Sequence, residues 1–471
     1  MMGSESRHRR ALQHSDPLFG PLQSERVCAR TCAPASAIRE GAMSSNAFNI
    51  IADAAHEAMA SMRRKFSQSN LVSDDQTGHL NASIQDPNLI NPWGVAFSPT
   101  GPFWVNNNHT GTATIYDVDP KTNAITAAPL IVTIAPPQAV PDVTTASPTG
   151  ISFNTDQSGF MLNGKPATFI MDTEDGTISA WNGGTKTTLE VDNSADPAHG
   201  DGSLPPEDQT EGIGAVYKGL TIGTQKDGTT LLYATNFRHG TVDVFNDQWQ
   251  QVNSLTDGAL PAGYAPFNAQ VLNGHLFVSY ALQDPFKHDD VAGPGNGFVD
   301  EFSLTGKLIA RVASNGPLDS PWGMAIAPAD FGKFAGDLLV GNFGDGTINA
   351  FNLKNDKFVG TLDGVDGKPI TIGDLWALTP GNGGAAGSKG EIFFTSGVQA
   401  ESFGLFGAIA PVPGQSNAFE MVDGNTMNVQ QLGQAMASFG VQNPGMGMTT
   451  TNEPTSTTMT SNWLAPPAAH G

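Results

Sequence analysis

Cysteine is nearly missing from this chain: Cys28 and Cys32 lie close to the N-terminus and none occurs after them. Neither a disulfide framework nor a cysteine-held zinc site is therefore available to the body of the protein. Charge is sparse as well, at 14% of residues, and lopsided, with 23 Lys and Arg against 45 Asp and Glu for a formal net charge of −22. The first 66 residues carry nine Lys and Arg against six Asp and Glu, so the acidity belongs to residues 67–471. Such a body repels phosphate backbones, and nucleic acid is not an expected partner. No run of about 18 apolar residues occurs, so no transmembrane helix is expected. The first 45 residues lack the apolar core of a secretory signal, and Met43 is an alternative start of translation.

Glycine and proline, by contrast, are plentiful at 54 and 32 residues. They suit a fold of many short strands joined by tight turns. One pattern occurs six times between Asn91 and Pro411: a small turn, a short apolar strand, a second apolar strand, a Gly-containing turn and a third strand. It reads as Asn91-Pro92-Trp93-Gly94-Val95-Ala96-Phe97, then Phe103-Trp104-Val105, then Gly111-Thr112-Ala113-Thr114-Ile115-Tyr116-Asp117. It returns as Pro321-Trp322-Gly323-Met324-Ala325-Ile326, Leu338-Leu339-Val340 and Gly346-Thr347-Ile348-Asn349-Ala350-Phe351-Asn352. A repeat of roughly 50 to 60 residues with three or four short strands is the signature of a β-propeller, whose closed ring has no open sheet edge. The expected fold is all-β, a six-bladed β-propeller over 67–411, with disordered N- and C-terminal tails and a short N-terminal helix. Ser69-Asn70-Leu71-Val72-Ser73 stands alone before the first repeat, and the last repeat ends after its third strand. The N-terminal segment is therefore expected to become the outer strand of blade six and close the ring.

The two ends read differently from the middle. In the tail 1–66, Phe48, Ile51, Ala55, Ala58, Met62 and Phe66 recur at helical spacing behind Asn46 as a cap, which predicts a helix over about 46–65. The tail 412–471 has no Lys or Arg and runs through Gln, Asn, Thr, Met and Gly. It buries too little apolar surface to order itself. Met446 and Met448 are too few for a soft-metal site.

Aligned on the start of each first strand, the repeats read Trp93-Gly94, Thr149-Gly150, Lys218-Gly219, Phe267-Asn268, Trp322-Gly323 and Asp374-Leu375. Four of the six keep a glycine, which relieves backbone crowding round the axis. Because paired strands run antiparallel, the start of strand one and the end of strand two share one mouth of the ring. The first set there is Trp93, Thr149, Lys218, Phe267, Trp322 and Asp374. The second includes Asn108, His109, Glu174, Asp175, Arg238, His239, Gln283, Asp284, Asp345 and Glu401. Lys218 and Asp374 would face each other between aromatic walls, as small-molecule sites are commonly built. The other reading wedges Trp93 and Trp322 between blades as core and leaves Lys218 solvated.

Other chemistry is thinly supported. No histidine pair has zinc spacing, Gly-x-Ser-x-Gly is missing, and Gly293-Pro294-Gly295-Asn296-Gly297 lacks the lysine of a phosphate loop. Asp172-Thr173-Glu174-Asp175 is acidic enough for a cation, but Asp172 matches Asn107, Asn236 and Asn342 as a repeated turn-stabilising residue. No metal and no cofactor are expected.

The strand and turn pattern is similar to that of NHL-repeat and gluconolactonase-like six-bladed propellers, whose lactonases hold a divalent metal with Asp, Asn and Glu at the first-strand starts. Asp374 is the single carboxylate at those positions here, and calcium takes six or more oxygens. A metal lactonase of that design is disfavoured. Seven strings occur in order: Asn91-Pro92-Trp93-Gly94, Thr173-Glu174-Asp175-Gly176-Thr177-Ile178, Ala215-Val216-Tyr217-Lys218-Gly219-Leu220, Asn236-Phe237-Arg238, Leu260-Pro261-Ala262-Gly263-Tyr264-Ala265-Pro266-Phe267-Asn268, Gly341-Asn342-Phe343-Gly344-Asp345-Gly346 and Gly404-Leu405-Phe406-Gly407. Over about residues 69–411 they resemble an uncharacterised bacterial six-bladed propeller family. The resemblance implies the fold and often export, though no recognisable signal peptide accompanies it. It brings no assigned activity and no catalytic residues.

The resulting expectation is a monomeric, non-catalytic binding propeller that takes a small molecule or a peptide at the channel mouth. Its ligand-binding candidates are Trp93, Thr149, Lys218, Phe267, Trp322, Asp374, Arg238 and Glu174. Two alternatives stand beside it. One is a hydrolase or lyase using acidic groups of the same face, such as Glu174, Asp175 and Asp374 with Arg238. The other is a protein interaction platform on the outer rim.

Overall fold

Short apolar strands separated by Gly-rich turns pair with their chain neighbours into antiparallel meanders, and six of these stand round a common axis. The computed structural model describes residues 65–412 except 76, 79 and 201–212. Blade one is Pro92–Ala96, Phe103–Asn107 and Thr112–Val118, with Ile125–Ala127 and Val132–Thr133 both pairing with its third strand. Blades two and three are Pro148–Phe153, Phe169–Thr173, Thr177–Trp181, Thr188–Asp192 and Tyr217–Thr224, Thr230–Asn236, Thr241–Phe245, Gln251–Leu255. Blade four is Tyr264–Leu272, His275–Leu282, Phe298–Ser303 and Leu308–Ser314; blade five is Pro321–Ile326, Leu338–Asn342, Ile348–Asn352 and Lys357–Thr361. Blade six takes Leu375–Pro380, Ile392–Ser396 and Leu405–Pro411 from the end of the described chain and Lys65–Ser73 from its start.

That last pairing closes the ring as the sequence predicts. Lys65–Ser73 runs antiparallel to Leu405–Pro411, from Phe66 opposite Pro411 to Ser73 opposite Leu405. The strand starts earlier than Ser69 because Phe66 has somewhere to go: it is 1% exposed and packs on Phe331 and Phe334 of blade five. Lys65 and Phe66 are thus strand rather than the end of a helix. The rest of the expected helix, and both expected tails, lie outside the described residues.

Every first strand carries a bulge near its start, at 93–94, 149–150, 218–219, 267, 322 and 376–377. A bulge takes backbone groups out of the ladder, and side chains of a neighbouring blade satisfy them. Asn106 Nδ2 donates to Gly150 O at 2.8 Å, Thr149 Oγ1 to Tyr217 O at 2.9 Å and Asn268 Nδ2 to Trp322 O at 2.8 Å. Thr395 Oγ1 donates to Trp93 O in the same way across the closure. The glycines sit in the same crowded layer. A Cβ on Gly150 would lie 2.3 Å from Leu220 N, and one on Gly323 would lie 2.4 Å from Trp376 O.

Outside this layer the interfaces between blades are filled by apolar side chains. Six apolar clusters fill the six interfaces, such as Trp104, Ile115, Phe169 and Met171 between blades one and two. A seventh lies on the axis.

Candidate functional site at the mouth of the ring

The bulges bring large aromatic side chains to the axis. Trp93, Trp322 and Trp376 come from blades one, five and six, and Phe237 and Phe267 from blades three and four. Trp93 stacks on Trp376 with ring centroids 3.4 Å apart, and both meet Trp322 edge-on at 6.0 and 5.8 Å. All three indoles are 1–2% exposed. A cavity of about 30 Å³ lies beside them, lined by Gly94, Gly150, Asn268, Trp322 and Ala377. That volume holds about one or two waters. The axial aromatics are therefore a plug, with no room among them for a small molecule.

A buried ammonium sits on the plug. Lys218 is 1% exposed, and its Nζ lies 5.3 Å from the ring centroid of Trp93 and 5.9 Å from that of Phe237. It ion-pairs with Glu174, in the turn after the second strand of blade two, and at 3.1 Å with Asp289, in the long loop 283–297 of blade four. Burial alone would favour the neutral amine, but the two carboxylates outweigh it and hold Lys218 above the ordinary lysine value. Glu174 is then saturated, since its other oxygen accepts Asn108 Nδ2 at 2.7 Å. Asp289 is not. Its Oδ1 meets Lys218 and, at 3.0 Å, His288 Nδ1, while its side chain is 68% exposed. Against the burial that would raise it, Lys218 and His288 keep Asp289 well below the usual carboxylate range.

Glu401 adds a third carboxylate. Gln399, Ala400 and Glu401 have φ of 61°, 54° and 61°, three successive non-glycine residues in the left-handed region. Each costs about 1–2 kcal/mol, so the surrounding structure must hold the turn. Asp374 does so, accepting the N–H of Ala400 at 2.8 Å and of Glu401 at 3.4 Å. Asn91 orients the side chain: its Oδ1 accepts Trp376 Nε1 at 3.0 Å, which turns its Nδ2 to Glu401 Oε2 at 2.7 Å. His109 Nε2 lies 4.0 Å from the same oxygen. Among the described residues no hydrogen bond reaches Glu401 Oε1. Burial, and after it the charges of Glu174 and Asp289, pushes Glu401 up to about 7.

Several sequence-derived positions require correction. Asp374 is not on the axis; blade six presents Trp376, two residues later, because its bulge is fixed by pairing of Leu375 with Ser396 and Leu378 with Phe394. Asp374 corresponds instead to Asn91 and Ser320, the residues before the first strands of blades one and five, all three with φ between 47° and 51°. Lys218 accordingly faces Glu174 and Asp289 rather than Asp374, and it is buried rather than solvated. Thr149 is fully buried, bonded to Asp172 and Tyr217 O. Arg238 is 1% exposed, with Nη1 3.4 Å from Gly214 O. Asp172 matches Asn106 and Thr235, opposite the bulges, not Asn107 and Asn236. Of the candidates, the structure brings Trp93, Lys218 and Glu174 into one contact group and packs Phe267 and Trp322 beneath them. Asp289 had no signal in the sequence, lying in a loop outside the repeat.

Glu174, His288 and Asp289 offer ligand atoms within 4.8 Å of one another, a spacing that a metal ion could use. The Lys218 ammonium already bonds two of these three residues, so a divalent ion would have to displace it. The set fits an internal ion pair better than a metal centre.

No model of a known protein family matches the sequence. An uncharacterised protein of Acanthamoeba polyphaga mimivirus is 31% identical over 338 residues, 70% of this chain and 76% of its own length. A second from the same virus is 30% identical over 335 residues, covering 69% and 81%. The family resemblance read from the sequence holds, but these relatives are viral rather than bacterial. Among solved structures, a streptogramin B lyase aligns with 73% of this chain and 96% of its own at 12% identity and a TM-score of 0.40. The WD40 domain of Neurospora crassa Pan2 aligns with 74% and 97% at 10% identity and 0.42. At such values these likenesses say nothing about chemistry.

Proposed function

The chain belongs to the same family as these mimivirus proteins, whose names assign no activity, and from its own geometry we propose that it is a binding propeller whose ligand docks on the mouth above the tryptophan plug. One observation carries this reading: Glu174 and Asp289 both ion-pair with a buried ammonium, Asp289 keeps its side chain 68% exposed, and Glu401 stands close enough to feel all three charges. An open carboxylate in a partly desolvated site favours a cationic group, so the ligand is a small molecule or peptide side chain bearing an ammonium or guanidinium. The mouth, not the axial channel, accommodates it.

Calorimetric titration with a panel of amines, guanidines, basic peptides, sugars, lactones and carboxylates tests the reading, repeated on Asp289→Asn and Glu401→Gln. Cationic ligands are expected to bind the unaltered protein and to lose at least tenfold in affinity in each variant. A ligand held equally well by both variants would place binding elsewhere. Binding confined to neutral or anionic ligands would overturn the proposed charge preference.

A further inference from the structure

The ammonium at the mouth is committed to two carboxylates, and a third stands beside them without one. Lys218 bonds Glu174 and Asp289. Among the described residues, Glu401 meets no lysine or arginine: its Oε2 accepts the neutral amide of Asn91 at 2.7 Å, and His109 Nε2 lies 4.0 Å from the same oxygen. The side chain is 32% exposed, so a solute reaches it from the mouth. Titratable and charged groups surround it from five blades: His109 of blade one, Glu174 of blade two, Lys218 of blade three, His288 and Asp289 of blade four, and Asp374 of blade six.

A carboxylate among like charges is compensated in one of two ways, by a proton or by a cation. The geometry assigns both to one atom. Trp376 Nε1 donates to Asn91 Oδ1 at 3.0 Å and so fixes the Asn91 amide on Glu401 Oε2, whereas no hydrogen bond from the described residues reaches Oε1.

We infer that Glu401 is an exchange site, at which a proton held on Oε1 is displaced by the cationic group of the ligand. The O–H bond breaks, the proton passes to solvent water, and an N–H of the ligand donates to the freed oxygen. This rests on the cationic-ligand reading above and adds its regulation by pH. Burial, and then the charge of Glu174, holds the carboxyl of the empty site at about 7, so it is neutral on the acid side and ionised on the alkaline side. Affinity for a cation is therefore present above that value and lost as pH falls through it. His288 acts in the same direction. Burial opposes its charge, but the bond to Asp289 outweighs burial and keeps it above the ordinary imidazole value, so it gains positive charge over the same fall in pH.

Calorimetric titration of the full chain with ethylguanidinium, whose charge is fixed across this range, tests the exchange at pH 6 and pH 8, and at pH 7 in phosphate and in MOPS, which differ in ionisation enthalpy. Affinity is expected to fall about tenfold from pH 8 to pH 6, with about half a proton released per ligand at pH 7. The dependence should shrink to about threefold or less in Glu401→Gln and persist in His288→Asn. Equal affinity at both pH values, or no proton release, would overturn the exchange and leave the cationic-ligand reading standing. A pH dependence lost in His288→Asn, or undiminished in Glu401→Gln, would overturn it and assign the proton elsewhere at the mouth. Failure of ethylguanidinium and of every other guanidine and amine to bind at pH 8 would overturn both.

Discussion

A lysine ammonium buried at the axis is tolerable because two carboxylates reach it, and this makes Lys218 the most sensitive single position at the mouth. Removing one member of a buried pair leaves the other charge uncompensated and costs about 3–5 kcal/mol, whereas removing both members with apolar replacements can be close to neutral. Lys218→Met is therefore expected to lower the stability measured by urea unfolding by several kcal/mol. Lys218→Met/Glu174→Gln should recover part of that loss. Equal loss in the single and double variants would show that the methylene stem, not the charge pair, is what matters. Because the ammonium already bonds Glu174 and Asp289, neither EDTA nor added magnesium, calcium or zinc should shift the melting temperature. A dose-dependent rise with any of these ions would identify Glu174, His288 and Asp289 as a metal site.

At the scale of the element, the bulge and the strained turn are the parts with something to lose. Gly150 faces the backbone of the next blade with no room for a methyl, since the added carbon would lie 2.3 Å from Leu220 N. Gly150→Ala is expected to destabilise the fold by about 1–3 kcal/mol through overpacking, read as a drop in the urea midpoint. The turn at 399–401 predicts the opposite sign. Ala400 holds a φ of 54°, a conformation that glycine adopts without steric cost. Ala400→Gly should raise stability by about 1 kcal/mol while loosening the presentation of Glu401, so ligand affinity should fall. A variant that is destabilised would mean that the left-handed turn is not strained in solution.

The whole molecule should respond to pH in one direction. Burial pushes Asp172 and Glu401 up to about 7 and Asp175, Asp290 and Asp300 up to about 6, from ordinary values of 3.8 and 4.5. In the window between the unfolded and folded values the native state holds protons that the unfolded chain has released. Their contribution is present at the acid end of that window and is lost as pH rises through 6 to 7. Exposed carboxylates held low by turn hydrogen bonds, such as Asp119 and Asp227, act only below about 4. The melting temperature is thus expected to be higher at pH 5 than at pH 8, and a calorimetric scan showing the reverse order would contradict these burial assignments. Ring closure gives a further test. Deleting residues 65–73 removes the outer strand of blade six and the Phe66 anchor, and cooperative unfolding should be lost.

The repeat was legible because a propeller writes its geometry locally: strand, turn and strand recur with the same spacing, so the number of blades and most strand positions can be read from apolar runs and Asp-Gly turns. Closure was legible for a related reason, as one strand was surplus at the start and one was short at the end. The site was legible in part. Lys218 and Glu174 were identified, but their pairing was not, because Asp374 stood where the axial residue of blade six was expected. Only strand pairing reveals the bulge that advances Trp376 into that place, since no glycine marks it. Asp289 comes from a loop outside the repeat, and whether Trp93 and Trp322 line a cavity or fill one depends on Trp376 stacking on Trp93 and meeting Trp322 edge-on. The sequence by itself determined the ring and its blades. Tertiary structure decided what the ring encloses, because side chains from five separate blades meet at the axis and no local pattern encodes that meeting.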